Sequence, residues 1–155
     1  MAGWATSVVV VSVVIAIYTD LRWMIIPDWL TYNLLFSGIL YYWIQGDILH
    51  SLLSGLVGGM LFLIPALLGQ VGMGDVKWFA GIGAWTTISF VLMSFVFATV
   101  IGFFHIIGLL FWKRVVQQRK YCEIRNEPVP YAVSLGIGII VATYVANTGM
   151  VTLSI

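Results

Sequence analysis

Long apolar runs, separated by short polar or glycine-rich breaks, divide the chain into segments of helical length. The first covers about 3–19 and opens at Trp4. The second, about 29–45, has Trp29 at one end and Tyr41, Tyr42 and Trp43 at the other, the aromatic distribution of a helix whose ends lie in two membrane interfaces. The third covers about 48–69, with Pro65 expected to kink its last turns. A short fourth segment runs from about 76 to 87, a fifth from about 89 to 112 and a sixth from about 131 to 150. Transmembrane helices need roughly 17–25 residues. The pattern therefore predicts an all-α, polytopic transmembrane bundle of about six helices, some of them short or kinked. The weakest break is Ala84-Trp85-Thr86-Thr87, between the fourth and fifth segments.

Composition changes the picture from helical to membrane-embedded. Of 155 residues, 61% are hydrophobic and only 8% charged, and mean hydropathy is +1.05. A water-soluble domain of this size could not hide so much apolar surface, whereas a bilayer removes the need. The expectation is one integral-membrane domain over 1–155, with lipid as an obligatory neighbour. The N-terminal run has no Lys or Arg before Arg22 and no convincing small-residue cleavage site, so it reads as a permanent span rather than a secretory signal. A single cysteine, Cys122, excludes an internal disulfide and reads as a reduced thiol in a loop.

The placement of charge predicts topology. Five of the seven basic residues, Lys113, Arg114, Arg119, Lys120 and Arg125, lie between Trp112 and Pro128. A basic loop between spans is normally cytoplasmic. Glu123 and Glu127 interrupt it, and topology already explains it, so nucleic acid is not an expected partner. Counting spans back from that loop puts 20–28 and 70–75 on the cytoplasmic face and both chain termini outside. Gly55 and Gly59, then Ala80, Gly81, Gly83 and Ala84, then Gly136 and Gly138 are small residues suited to close helix packing.

Two carboxylates stand where apolar runs meet this boundary. Asp20 follows Tyr18-Thr19, and Asp75 closes Gly72-Met73-Gly74-Asp75. Ionisable groups at membrane segments are costly and by default functional. Brought together, one ionised and one protonated carboxyl form an aspartyl hydrolase pair, because two close carboxyls share a proton and titrate jointly. Gly72 and Gly74 would provide backbone freedom and close main-chain approach; the alternative is an ordinary loop-to-helix junction with Asp75 as its cap. Pro27 suits the first turn of the second helix, with Asp28 as a cap favoured by its dipole. Arg22 could pair with a carboxylate or mark the inner edge. Lys77 could tune Asp75, bind a substrate carbonyl or snorkel to the interface. His50 and His105 lack ligand spacing, so neither a metal nor a cofactor is expected.

Asp20…Ile26-Pro27-Asp28-x-Leu30-Thr31, followed by Gly72-x-Gly74-Asp75-x-Lys77, resembles the type IV prepilin peptidases, membrane aspartyl proteases of the GxGD class. Val129-Pro130-Tyr131-Ala132-Val133-Ser134-Leu135-Gly136 looks like the proline-aromatic start of their last helix. The resemblance implies that Asp20 and Asp75 are the catalytic pair, with Gly72, Gly74, Lys77, Arg22, Pro27 and Thr31 as supporting or substrate-binding candidates. It implies a partner too, the precursor of a pilin or pilin-like protein, cleaved after a short basic leader at the cytoplasmic surface of the inner membrane. Self-association into a homo-oligomer is left open.

Longer members of that family carry a cysteine-containing insertion ahead of the first aspartate and also N-methylate the product. Neither that insertion nor its cysteines is found here, so peptidase activity without methyltransferase activity is expected. The size resembles the short members serving tight-adherence (Flp-type) pili, with an archaeal preflagellin peptidase as the alternative. Three rivals are a small ion or proton transporter, a scaffold subunit of a secretion machine, and a protease of the presenilin kind. The first would need the aspartates near the membrane midplane.

Overall fold

A computed structural model of the chain describes residues 3–69, 71–115 and 131–148. Among these residues the fold is six helices: α1 (Gly3–Trp23), α2 (Asp28–Ile44), α3 (Ile48–Leu67), α4 (Met73–Trp85), α5 (Ile88–Val115) and α6 (Tyr131–Asn147). The all-α bundle expected from the apolar runs is what forms. Most of the basic loop, Cys122 and the Val129-Pro130 pair lie outside the described residues.

Among the described residues, three helices are long and apolar enough to cross a membrane: α1, α3 and the stretch Ile88–Leu109 of α5. Their outer faces carry large exposed apolar side chains, among them Val11, Val14, Leu52, Leu56, Val96 and Phe103. Extended apolar surface of that kind belongs against lipid. The chain is a membrane protein.

The short α4 is the centre of the bundle. Trp78, Phe79 and Ile82 are fully buried, and α4 packs chiefly on α3 and α2 while α6 joins α5 to α1. Lipid tails are as apolar as the side chains they replace, so helices in a membrane associate through close packing and hydrogen bonds more than through hydrophobic burial. Both devices are present. A Cβ on Gly58 would lie 2.7 Å from the Phe79 carbonyl oxygen, and one on Gly83 would collide with the Ser54 carbonyl. Ser51 Oγ donates to the Ala84 carbonyl at 2.9 Å and Trp85 Nε1 to the Leu34 carbonyl at 2.8 Å, fastening α4 to α3 and α2. The glycines that meet α4 backbone differ from the expected Gly55/Gly59 pair. Gly55 and Gly58 meet α4 backbone, whereas a Cβ on Gly59 would touch only the Ala80 side chain, at 3.4 Å.

Several boundaries move. α1 continues to Trp23 rather than stopping near 19, so Asp20 lies within its last turn. The weak 84–87 break is a true one: Thr86 is extended, and Thr87 Oγ1 accepts the Phe90 N–H at 3.3 Å, starting α5. Pro65 sits inside α3, which runs on to Leu67. Successive helices alternate in direction. The end of α1 and the starts of α2, α4 and α6 consequently meet at one end of the bundle.

Candidate active site

Asp20 and Asp75 come together at that end. They are 8% and 7% exposed, and both line one cavity of about 330 Å³ with Met24, Ile25, Ile26, Asp28, Gly72 and Gly74. Asp75 feels the charge of Asp20. Positions 55 apart in sequence thus share one cavity at a helix-bundle end. A larger cavity, about 540 Å³, lies at the opposite end against Trp4, Tyr41, Trp85 and Asp47, far from both carboxylates.

Each carboxylate is held by a backbone donor. Asp75 is the third residue of α4; its Oδ2 accepts the Gly72 N–H at 3.2 Å, while its own N–H donates to the Gly72 carbonyl at 3.1 Å. That reciprocal clasp closes the first turn of the helix, where a negative charge is favoured. Asp20 has no such advantage, being at the C-terminal end of α1. Its Oδ2 instead accepts the Ala132 N–H at 3.0 Å, one of the amides that the first turn of α6 leaves without an intrahelical acceptor. Nothing in the sequence signalled this contact, because a backbone donor carries no side-chain mark.

The glycines act through space rather than through unusual backbone angles. Gly72 has φ −73° and ψ 148°, open to any residue, and Gly74 is not among the glycines with positive φ. A Cβ on Gly72 would sit 3.3 Å from Asp75 Oδ2, and one on Gly74 would sit 3.3 Å from Ile26 Cβ. Special dihedrals are therefore not what these two positions use; a Cβ there would crowd Asp75 and Ile26. Among the residues that line this cavity, Met24 takes a left-handed conformation, at φ 56°. Its N–H donates to the Asp20 carbonyl at 2.9 Å, ending α1 and turning the chain into the 24–27 loop that walls the cavity.

The remaining candidates divide. Pro27 occupies the position before α2 rather than its first turn, and its carbonyl accepts the Leu30 and Thr31 N–H groups at 3.1 and 3.4 Å. Thr31, almost wholly buried, donates to the Asp28 carbonyl at 3.0 Å; it steadies the first turn of α2 and does not line the cavity. Asp28 is the acidic residue in the first turn of α2, where the helix dipole favours its charge. Its Oδ1 also lies 2.8 Å from Lys77 Nζ, an ion pair from α2 to α4 that the capping reading does not anticipate. Lys77 therefore neither touches Asp75 nor stands free. Arg22 points away, donating to the Tyr18 hydroxyl at 2.9 Å and lying 5.2 Å from the Trp23 ring. His105 Nδ1 shares a hydrogen bond of 2.7 Å with Ser134 Oγ, and His50 packs on Tyr42.

A membrane-embedded helical bundle with two buried carboxylates facing one cavity at its end is the class that fold and site define together. The family model described as "Type IV leader peptidase family" matches residues 7–107. The chain belongs to the type IV leader peptidase family. A curated relative, the prepilin leader peptidase/N-methyltransferase of Aeromonas hydrophila, is 29% identical over 87% of this chain and 48% of its own length. The chain thus spans about half the length of that relative. No solved structure gives a significant match.

Proposed function

We propose that this chain is an aspartic endopeptidase that removes the basic leader of pilin or pilin-like precursors at the membrane surface, with Asp20 and Asp75 as its catalytic pair. The observation that carries the reading is their shared cavity, in a chain of the leader peptidase family. One carboxylate, ionised, takes a proton from water as the oxygen attacks the scissile carbonyl carbon. The other, protonated, donates to the carbonyl oxygen, giving a gem-diol. Return of the protons, one to the amide nitrogen, breaks the C–N bond and releases the leader as a carboxylate and the mature protein as an amine.

The active site faces the cytoplasm from the inner membrane, with the termini on the other side. Arg22 and Lys77 stand in the same helix-end turns of α1 and α4 as the two aspartates, in keeping with the basic bias of cytoplasmic boundaries. Hydrolysis without methylation is part of the proposal, and the chemistry of the product's new N-terminus decides it. The test is reconstitution of the purified protein in lipid vesicles with a pilin-like precursor, reading the product's new N-terminus by mass. An unmethylated product cut after the leader is expected. An uncleaved precursor overturns the peptidase reading, and a methylated product overturns the restriction to hydrolysis.

A further inference from the structure

Asp20 and Asp75 are assigned to hydrolysis in the reading above, which leaves one other carboxylate at that end among the described residues. Asp28 lines the same cavity. Asp47 stands against the cavity at the far end. Asp28 is the first residue of α2 and the acidic residue of its first turn, where the helix dipole favours its charge. What it holds is an ammonium: Lys77 Nζ is 2.8 Å away and lies 5.2 Å from the centre of the Tyr32 ring. Carboxylate and aromatic face together make a seat for a cation.

The seat is exchangeable. The Lys77 and Asp28 side chains are 37% and 64% exposed, and an ion pair so open to solvent contributes little to the fold. Lys77 hangs on a flexible stem with three rotatable donors. A second ammonium or guanidinium can displace it at small cost. Geometry says where that cation would come from. A peptide stretched across the cavity advances about 3.3 Å per residue, so a side chain within a few residues of a bond cut at Asp20 and Asp75 reaches the Asp28 wall.

The geometry points to Asp28 as a specificity-determining residue that binds a Lys or Arg of the substrate's leader in the seat now taken by Lys77. This inference rests on the proposed peptidase activity. It assigns Asp28 to substrate binding and leaves the chemistry to the pair.

The experiment uses the full chain in lipid vesicles with two synthetic precursors, identical except that two leader lysines in one are glutamines in the other. Wild type is expected to show a KM about fivefold lower for the lysine leader, the scale of one exposed ion pair, with kcat alike for both. Asp28→Asn should erase that preference by raising KM for the lysine leader alone. Lys77→Gln, which empties the seat, should keep or sharpen it. A merely structural tie between α2 and α4 would instead lower kcat on both precursors and leave the KM ratio untouched, and that result overturns the inference. So does an equal KM for both precursors in wild type. If Asp28→Asn does not fold, Lys77→Gln decides, because a preference weakened below wild type contradicts displacement of Lys77. Cleavage of neither precursor by wild type overturns the peptidase reading itself, and this inference with it.

Discussion

The Asp20 carboxylate, near the end of the first helix, accepts the backbone N–H of Ala132 at 3.0 Å, in the first turn of the last. One hydrogen bond thus joins residues 112 positions apart and fixes one member of the candidate pair to the helix that closes the bundle.

That contact makes Ala132 a sensitive position. Its side chain is fully buried, so Ala132→Leu overfills the site, costs about 1–3 kcal/mol and displaces the donor from Asp20. Ala132→Gly keeps the N–H and costs only about 0.5–1 kcal/mol. Precursor cleavage should survive the glycine change and fall steeply with leucine. Thermal unfolding in detergent separates the two contributions.

Gly74 fits against Ile26 with no room for a methyl group to spare. Gly74→Ala moves the 24–27 loop by a few tenths of an ångström, and cleavage should fall about tenfold, since misplacement by about 1 Å is able to cost a hundredfold. Gly46→Ala is the control. Gly46 has φ +82° with open space around it at the far end of the bundle. It should cost about 1–2 kcal/mol of stability and leave cleavage intact.

Packing of α3 on α4 gives a second contrast. A Cβ on Gly83 would run into the Ser54 carbonyl, whereas one on Gly59 would meet only a methyl group at 3.4 Å. Gly83→Ala should lower stability by about 1–3 kcal/mol. Gly59→Ala should be neutral or stabilising, since glycine inside a helix costs about 0.5–1 kcal/mol relative to alanine. Melting temperatures in one detergent read the difference.

The pair's chemistry dictates a pH profile. The cleaving form holds one proton between Asp20 and Asp75. As pH falls through the lower apparent pKa both carboxyls are protonated and the base is lost; as it rises through the upper one both ionise and the acid is lost. Cleavage should therefore climb and then decline with pH. A profile with neither limb contradicts the shared-proton account.

Much of this architecture was legible in the apolar runs, because a membrane helix must be continuous and long enough to cross. The two aspartates were legible for the complementary reason, as charges set at segment edges. What escaped is what local pattern cannot carry. Asp20 lies inside α1 because the helix continues through Leu21-Arg22-Trp23, which looked like a boundary. Asp28 satisfied a local capping reading, while its partner Lys77 comes from 49 positions away. Met24 ends α1 in a left-handed conformation without being the glycine or asparagine that would announce it. Gly72 crowds Asp75 within one turn, but the reason for Gly74, its contact with Ile26, exists only once the two loops have met.

The central claim is that Asp20 and Asp75 act as one hydrolytic pair. Its most direct test is precursor cleavage by Asp20→Asn and Asp75→Asn, each reconstituted at the same density as wild type and matched to it in thermal unfolding. Both variants should fold and both should leave the precursor whole. Cleavage at a rate comparable to wild type by either one contradicts the account.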